Sequence, residues 1–253
     1  MEFSIVIPTT PKHHKFIPSL INTFKNSDYV GEILIISSST RNIEASKLGS
    51  LIGRLNMKVS PQIESTKQKR TAGENRNFGW EIARSEYIMF LDADDWYSIK
   101  RLEVIAEVIQ KTNADLVIHN YWKVKPRWFL RKKITLNAND WLGSDELIAA
   151  TWEQGIRSVD MELGIKGDTN VIARDKNGNL WPVQHGHVTI RRSVPLRFSS
   201  LRYGEDGRMI RDALEKGYSV IYIPNKLSIY NQISLEFVVR SSFRFFKRLL
   251  FRQ

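Results

Sequence analysis

The chain reads as an α/β protein built on a mostly parallel sheet with helices on both faces, and three observations predict it. Mostly apolar runs at residues 3–7, 32–36, 87–91, 114–120 and 219–223 lack the in–out alternation of half-exposed strands, as strands covered on both faces do. Helical stretches separate the earlier runs, which sets a βαβαβαβ order with right-handed crossovers. The run Tyr87-Ile88-Met89-Phe90-Leu91 also stops abruptly at Asp92-Ala93-Asp94-Asp95. Three acids thus crowd the edge beyond a buried strand, where open α/β sheets bind ligands.

In chain order, residues 3–7 form a strand stopped by Pro8, and residues 16–27 a helix with Phe16, Ile17, Leu20, Ile21 and Phe24 on one face. A second strand at 32–36 runs into the turn Ser37-Ser38-Ser39-Thr40. A weak helix follows at 43–55, and Met57-Lys58-Val59 is read as a short third strand. Helices at 73–84 and 99–111 flank the 87–91 strand, and a strand follows at 114–120. Residues 121–185 have weak periodicity apart from a helix expected at 144–153 and a hairpin turn at Asp175-Lys176-Asn177-Gly178-Asn179. A strand at 187–190, a helix at 206–216 ended by Gly217 and a strand at 219–223 before Pro224 complete the pattern. The expected organisation is a single domain over 1–233, with halves at 1–115 and 116–233, and a tail at 234–253.

The 253 residues, 42% of them hydrophobic, suffice for a large core. The absence of cysteine excludes disulfides, Cys-ligated zinc and thiol catalysis. Neither a signal-peptide pattern nor an apolar run of membrane-spanning length is found, so a cytoplasmic location is expected. The net charge of +11 calls for an anionic partner: nucleic acid, phosphorylated small molecules or anionic lipid.

Crowded acids repel one another and are tolerated when water, hydrogen bonds or a cation offsets the repulsion. The Asp92–Asp95 cluster therefore points to a metal site holding an anionic substrate. The plainer reading, a polar turn capping the next helix, accounts for Asp95 but not for all three acids.

Four blocks in order carry a family likeness: Ser4-Ile5-Val6-Ile7-Pro8-Thr9, Gly73-Glu74-Asn75-Arg76-Asn77-Phe78-Gly79, Phe90-Leu91-Asp92-Ala93-Asp94-Asp95 and Tyr203-Gly204-Glu205-Asp206. Together they resemble the opening strand, the A-R-N-x-G segment, the DxD motif and the "ED" motif of family 2 glycosyltransferases of the GT-A fold. The resemblance covers about residues 3–110 and 186–231. It implies an inverting, metal-dependent transfer of one sugar, hexosyl or N-acetylhexosaminyl, from a nucleotide-sugar. By resemblance Asp94 is the metal ligand, with Asp92 directed to the ribose or the metal shell, for Mn²⁺ or Mg²⁺. Pro8, Thr9, Ser37, Ser38, Arg76, Asp92 and Asp94 would bind the donor, Glu205 the acceptor, and Asp206 would be the general base. Asp95 would be an outer group or a helix cap. In many relatives an aspartate pair occupies the positions of Ser37 and Ser38, so neutral hydroxyls would meet the base here. The Q-x-x-R-W motif of processive synthases is absent, which favours a single addition.

His185 and His187 share one side of a strand, a spacing that suits metal or phosphate binding as well as ordinary polar residues. Arg191 and Arg192 suit an anion or a solvated surface, and His13 and His14 lie in the loop beyond the first strand. In the tail, Arg240, Arg244, Lys247, Arg248 and Arg252 gather on one side of a helix, largely opposite Val238, Phe245, Phe246, Leu249 and Leu250, while Phe237 and Phe251 intrude on the basic face. Such a basic amphipathic helix suits an anionic membrane surface, which gives a peripheral location on its inner face and a glycan or lipid-linked acceptor of the cell envelope. It also suits docking on the domain itself or on a second subunit. The basic segment Lys123–Lys133 has no nucleic-acid-binding motif around it. A nucleotidyltransferase would need a glycine-rich phosphate loop, which Pro8-Thr9-Thr10-Pro11 does not supply. A non-catalytic protein binding anionic membranes or polyanions through its tail is the remaining alternative.

Overall fold

The computed structural model describes residues 1–124, 148–153, 170–174, 180–182, 187–201 and 204–231. The first half comprises β1 (Phe3–Thr9), a 3₁₀ segment (Pro11–Phe16), α1 (Ile17–Asn22), β2 (Val30–Ser37), α2 (Asn42–Ile52), β3 (Gln62–Ser65), α3 (Ala72–Ile82), β4 (Tyr87–Phe90), β5 (Trp96–Tyr97) and α4 (Arg101–Thr112). The rest comprises β6 (Leu116–Val124), β7 (Ile148–Glu153), β8 (Asn170–Arg174), β9 (Leu180–Pro182), β10 (Val188–Arg191), α5 (Glu205–Glu215) and β11 (Val220–Asn231).

The strands lie in the order β3-β2-β1-β4-β10-β6-β11-β7-β8-β9, with β5 paired to β11 off that path. β3, β2, β1 and β4 are mutually parallel, as are β6 and β11. β10 runs antiparallel between β4 and β6. Alternate residues of the central strands feed two cores. Phe3, Ile5, Ile7, Tyr87 and Met89 pack with α1, α2 and α4 on one face, and Val6, Leu34, Ile36, Ile88 and Phe90 with α3 and α5 on the other. Coverage on both faces explains why these strands are apolar throughout.

Five boundaries differ from the sequence reading. β1 continues through Pro8, which pairs with Ile36 of β2. The Thr9 carbonyl faces β2, accepting from Ser38 N–H, while the Val6 carbonyl faces β4, accepting from Leu91 N–H. Pro8 shares the orientation of Val6, and the ladder to β4 has ended at Val6; the missing N–H has no bond to forfeit. The expected helix at 16–27 is a 3₁₀ segment followed by the short α1, although Ile17, Leu20, Ile21 and Phe24 are buried as anticipated. Thr23, Asn26 and Ser27, weak helix formers, occupy its far end. The third strand is the polar Gln62–Ser65, not Met57-Lys58-Val59; Met57 and Val59 pack on the core from a loop. An edge strand has one neighbour and tolerates polar residues. Residues 148–153 of the expected 144–153 helix form β7, paired with β11 and β8, a case of sheet context overriding local preference. β11 passes Pro224 to Asn231, with register shifts between Ile223 and Ser228 absorbing the proline.

β8 and β9 pair antiparallel either side of 175–179, as a hairpin requires. The turn itself, most of the Lys123–Lys133 segment, His185 and the 234–253 tail lie outside the described residues.

One buried carboxylate ties β1, β2 and the segment after α3 together. Glu32 accepts from the Ser4 hydroxyl at 2.5 Å, from Arg84 N–H at 2.5 Å and from Arg84 Nε at 3.1 Å. Burial opposes its charge, but these donors outweigh burial and hold its pKa below the usual glutamate value. A depressed pKa contributes stability above the unfolded-state value and loses it as pH falls through the folded one. Glu32→Gln should therefore lower unfolding free energy at pH 7 by about 1–2 kcal/mol. In urea titrations the gap to wild type should close below about pH 4.

Candidate functional site

The carboxyl ends of β1, β2 and β4 and the amino end of α5 converge around one side chain, Arg76 of α3. Two glycines bring it there. A Cβ on Gly79 would lie 2.4 Å from Val6 Cγ1 and 3.1 Å from Ile36 Cγ1, so only glycine lets α3 lie this close to β1 and β2. A Cβ on Gly73 would lie 2.5 Å from the Ser199 carbonyl, which holds the other end of α3 against the segment leading to α5. Thr71 caps the helix, accepting from Glu74 N–H while Glu74 accepts from Thr71 N–H. Asn77 exchanges two hydrogen bonds with the backbone of Phe198, at 2.8 and 2.9 Å.

Arg76, 4% exposed, reaches both halves of the chain. Its Nη2 donates to Asp92 Oδ1 at 2.6 Å and its Nη1 to Glu205 Oε1 at 2.8 Å. Burial works against its charge, but Asp92, Glu205 and Asp206 outweigh burial and raise its pKa. Glu205, predicted as an acceptor contact, is itself buried and committed to Arg76. Burial and then Asp206 push its pKa up, with Arg76 opposing them. Asp206 is part-exposed in the first turn of α5, which begins at Gly204 with φ of 78°, a left-handed value that glycine adopts without strain.

The three acids beyond β4 have three different fates. Asp92 is held by Arg76, and its backbone N–H donates to the Tyr97 hydroxyl at 2.7 Å. Asp95 is 2% exposed and bonds His187 through Oδ2 at 2.8 Å. Asp94 has 40% of its side chain exposed, with His13 Nε2 3.9 Å from its Oδ2. Burial of the rest, partly relieved by His13 but reinforced by Asp95 and Asp92, pushes Asp94 up to about 6.

Beneath the acids lies a layer that no spacing in the sequence revealed. Arg101 is fully buried, donates from Nε to His119 at 2.8 Å, and stacks over the Tyr97 ring at 4.8 Å. Burial lowers it to about 10, with Tyr97, Asp92 and Asp95 acting the other way, so it stays charged at neutral pH. His119 accepts from Arg101, so its own proton sits on Nδ1 and goes to the Asn120 carbonyl. His187 is lowered to about 3, first by burial and then by Arg101, and is neutral. With Asp95 ionised, its Nε2–H donates to that carboxylate and its Nδ1 accepts from Ser228. The two imidazoles stack 5.4 Å apart.

Asp92, Asp95 and His187 bring ligand atoms within 4.8 Å of one another. Yet both ring nitrogens of His187 are occupied, and it is almost wholly buried with Asp95. The half-exposed Asp94, with the remaining oxygen of Asp92, fits a hard divalent cation better, since Mg²⁺ and Mn²⁺ take one or two carboxylates and keep several waters.

At the β1 and β2 edge, Ser37 and Ser38 are buried rather than open. Ser37 Oγ meets His14 Nε2 and Thr40 Oγ1, each at 2.7 Å, and Ser38 Oγ accepts from Asn75 Nδ2 at 3.0 Å. Pro8 and Thr9 are buried beside them, and the Thr9 carbonyl takes the Ser38 N–H. Arg191 is placed away from the acids, bonded to Glu86 and Asn113.

A doubly covered, mostly parallel sheet with acids at the end of β4 and an acidic helix terminus tied to them is the GT-A glycosyltransferase architecture. The fold matches the crystal structure of *S. aureus* TarS 1–349 with UDP-GlcNAc at a TM-score of 0.60 and 15% identity, over 92% of this chain and 59% of that one. A mycobacterial protein matches at a TM-score of 0.57 and 13% identity, over 93% and 69%. Residues 4–161 match the model for Glycosyl transferase family 2, and the chain belongs to that family. In sequence it is 26% identical over 121 residues to the poly(ribitol-phosphate) beta-N-acetylglucosaminyltransferase TarS of Staphylococcus aureus (strain Mu50 / ATCC 700699), over 47% of this chain and 20% of TarS. It is 30% identical over 122 residues to TarP of S. aureus (strain N315), covering 47% of this chain and 36% of TarP. The match thus spans only a fifth to about a third of these relatives.

Removing Arg76 strands two carboxylates. Arg76→Ala should cost about 3–5 kcal/mol in chemical denaturation, and adding Glu205→Gln to it should recover part of the loss.

Proposed function

We propose that the chain transfers a single sugar from a nucleotide-sugar, UDP-linked, to a glycan or lipid-linked acceptor of the cell envelope, with inversion and with help from Mn²⁺ or Mg²⁺. The observation that carries the reading is the acid cluster at the end of β4, with Asp94 half-exposed and Asp92 joined through Arg76 to the α5 terminus that bears Asp206. Family membership and the UDP-GlcNAc bound by the structurally similar TarS support it.

A divalent ion held by Asp94 and Asp92 would neutralise charge building on the departing diphosphate. Arg76 keeps Asp92 and Glu205 at a fixed separation, so the donor end and the base end of the cleft keep their alignment. Asp206, part-exposed beside them, removes the proton from the acceptor hydroxyl as it attacks the face opposite the leaving group. Ser37 and Ser38, with Thr9 and Pro8, shape a neutral wall for the base. The net charge of +11 favours a phosphate-bearing acceptor, the class named for TarS.

No described helix is long and apolar enough to cross a membrane. We assign membrane attachment to the basic 234–253 tail, working at the cytoplasmic face.

Asp94→Ala should abolish Mn²⁺-dependent hydrolysis of UDP-sugars. Asp206→Asn should retain UDP-sugar binding by calorimetry but lose about a hundredfold or more in transfer; near-normal turnover in either variant would refute the role given to it. Deleting 234–253 should end sedimentation with anionic liposomes, and unchanged sedimentation would remove the tail from the membrane.

A further inference from the structure

We propose that Tyr230 of β11 holds the transferred sugar of the donor, with Tyr121 of β6 as its buttress. This rests on the nucleotide-sugar reading above and goes beyond it, since residue 230 lies outside the span matched by the family model.

Its placement comes from the β11 irregularity. After the register shifts near Pro224, Ser228 pairs with Tyr121 and Tyr230 with Lys123. Leu227, Ser228 and Ile229 are buried at 2%, 0% and 1%, whereas Tyr230 emerges at 36% exposed. Its ring packs edge-on against Tyr121 at 5.7 Å, and Tyr121 packs edge-on against His187 at 5.9 Å. The ring is thereby fixed to the same buried layer that carries Asp95.

The hydroxyl makes no hydrogen bond among the described residues. Burial first, then Asp95, Asp92, Asp94 and Asp206, push the phenol up to about 12. The pairing of Ile229 with Trp96 sets Tyr230 next to the Asp94-Asp95 end of the turn after β4. An aromatic packed only for stability is ordinarily buried with its hydroxyl bonded; Tyr230 is neither.

A sugar attached to a diphosphate held at Asp94 and Asp92 would lie next to those acids, at the edge that Tyr230 borders. A tyrosine offers an apolar face to the C–H face of a sugar ring and a donor to one of its hydroxyls, the mix by which small-molecule sites fix orientation. The place of Tyr230 beside Trp96 and its ring contacts through Tyr121 to His187, which bonds Asp95, put it at the β4 edge, and this assigns it to the donor sugar rather than the acceptor.

Calorimetry with Mn²⁺ and a panel of UDP, UDP-GlcNAc and UDP-glucose tests this. Tyr230→Ala should weaken the tighter UDP-sugar by about tenfold, equivalent to about 1.4 kcal/mol, while leaving UDP within about twofold. Tyr230→Phe, which keeps the fold if alanine does not, should show a smaller loss confined to the UDP-sugar. Equal weakening of UDP and UDP-sugar would mark a merely structural residue, and unchanged affinity for all three would overturn the assignment. Wild type that binds none of the panel would refute the nucleotide-sugar reading itself, and the Tyr230 assignment with it.

Discussion

Asp92, Asp94 and Asp95 can share one turn because two buried arginines divide their charge. Arg76 bonds Asp92 directly, and Arg101 lies beneath Asp95 with the neutral His119 and His187 between. Buried ions are costly unless each is paired and hydrogen-bonded. Here the pairing is complete for two acids and incomplete for the third. The surplus falls on Asp94, the most exposed of the three.

The same arginine couples the two halves of the chain. Arg76 spans Asp92 on β4's end and Glu205 on α5, residues separated by more than a hundred positions. Its reach depends on close packing, since Gly73 and Gly79 let α3 approach the sheet and Asn77 clamps the Phe198 backbone. Site geometry and fold stability therefore draw on the same contacts. Phe198 serves both, stacking under Arg76 at 5.2 Å and against Phe90 at 5.0 Å.

The β1 and β2 edge follows a different rule. Ser37 and Ser38 spend their hydroxyls on His14, Thr40 and Asn75, so that edge is prearranged and uncharged. Burial lowers the pKa of His14, which keeps it neutral as well. Negative charge is concentrated instead at the β4 edge, in Asp92, Asp94 and Asp95.

Much of the fold was legible from residue order. The apolar strands, the acids after Leu91, the Arg76 block and Glu205-Asp206 before an amphipathic helix are local patterns, and local patterns survive without coordinates. Boundaries were read less well where long-range pairing decides: Pro8 and Pro224 lie inside strands because their missing N–H groups fall where the ladder is open or bulged, and residues 148–153 are strand because β11 and β8 flank them. The identities of the candidate acids were thus set by sequence alone. Only the tertiary structure decided which of them are neutralised, because Arg101, His119, His187 and Ser228 come from four distant segments that sheet order alone brings beneath one turn.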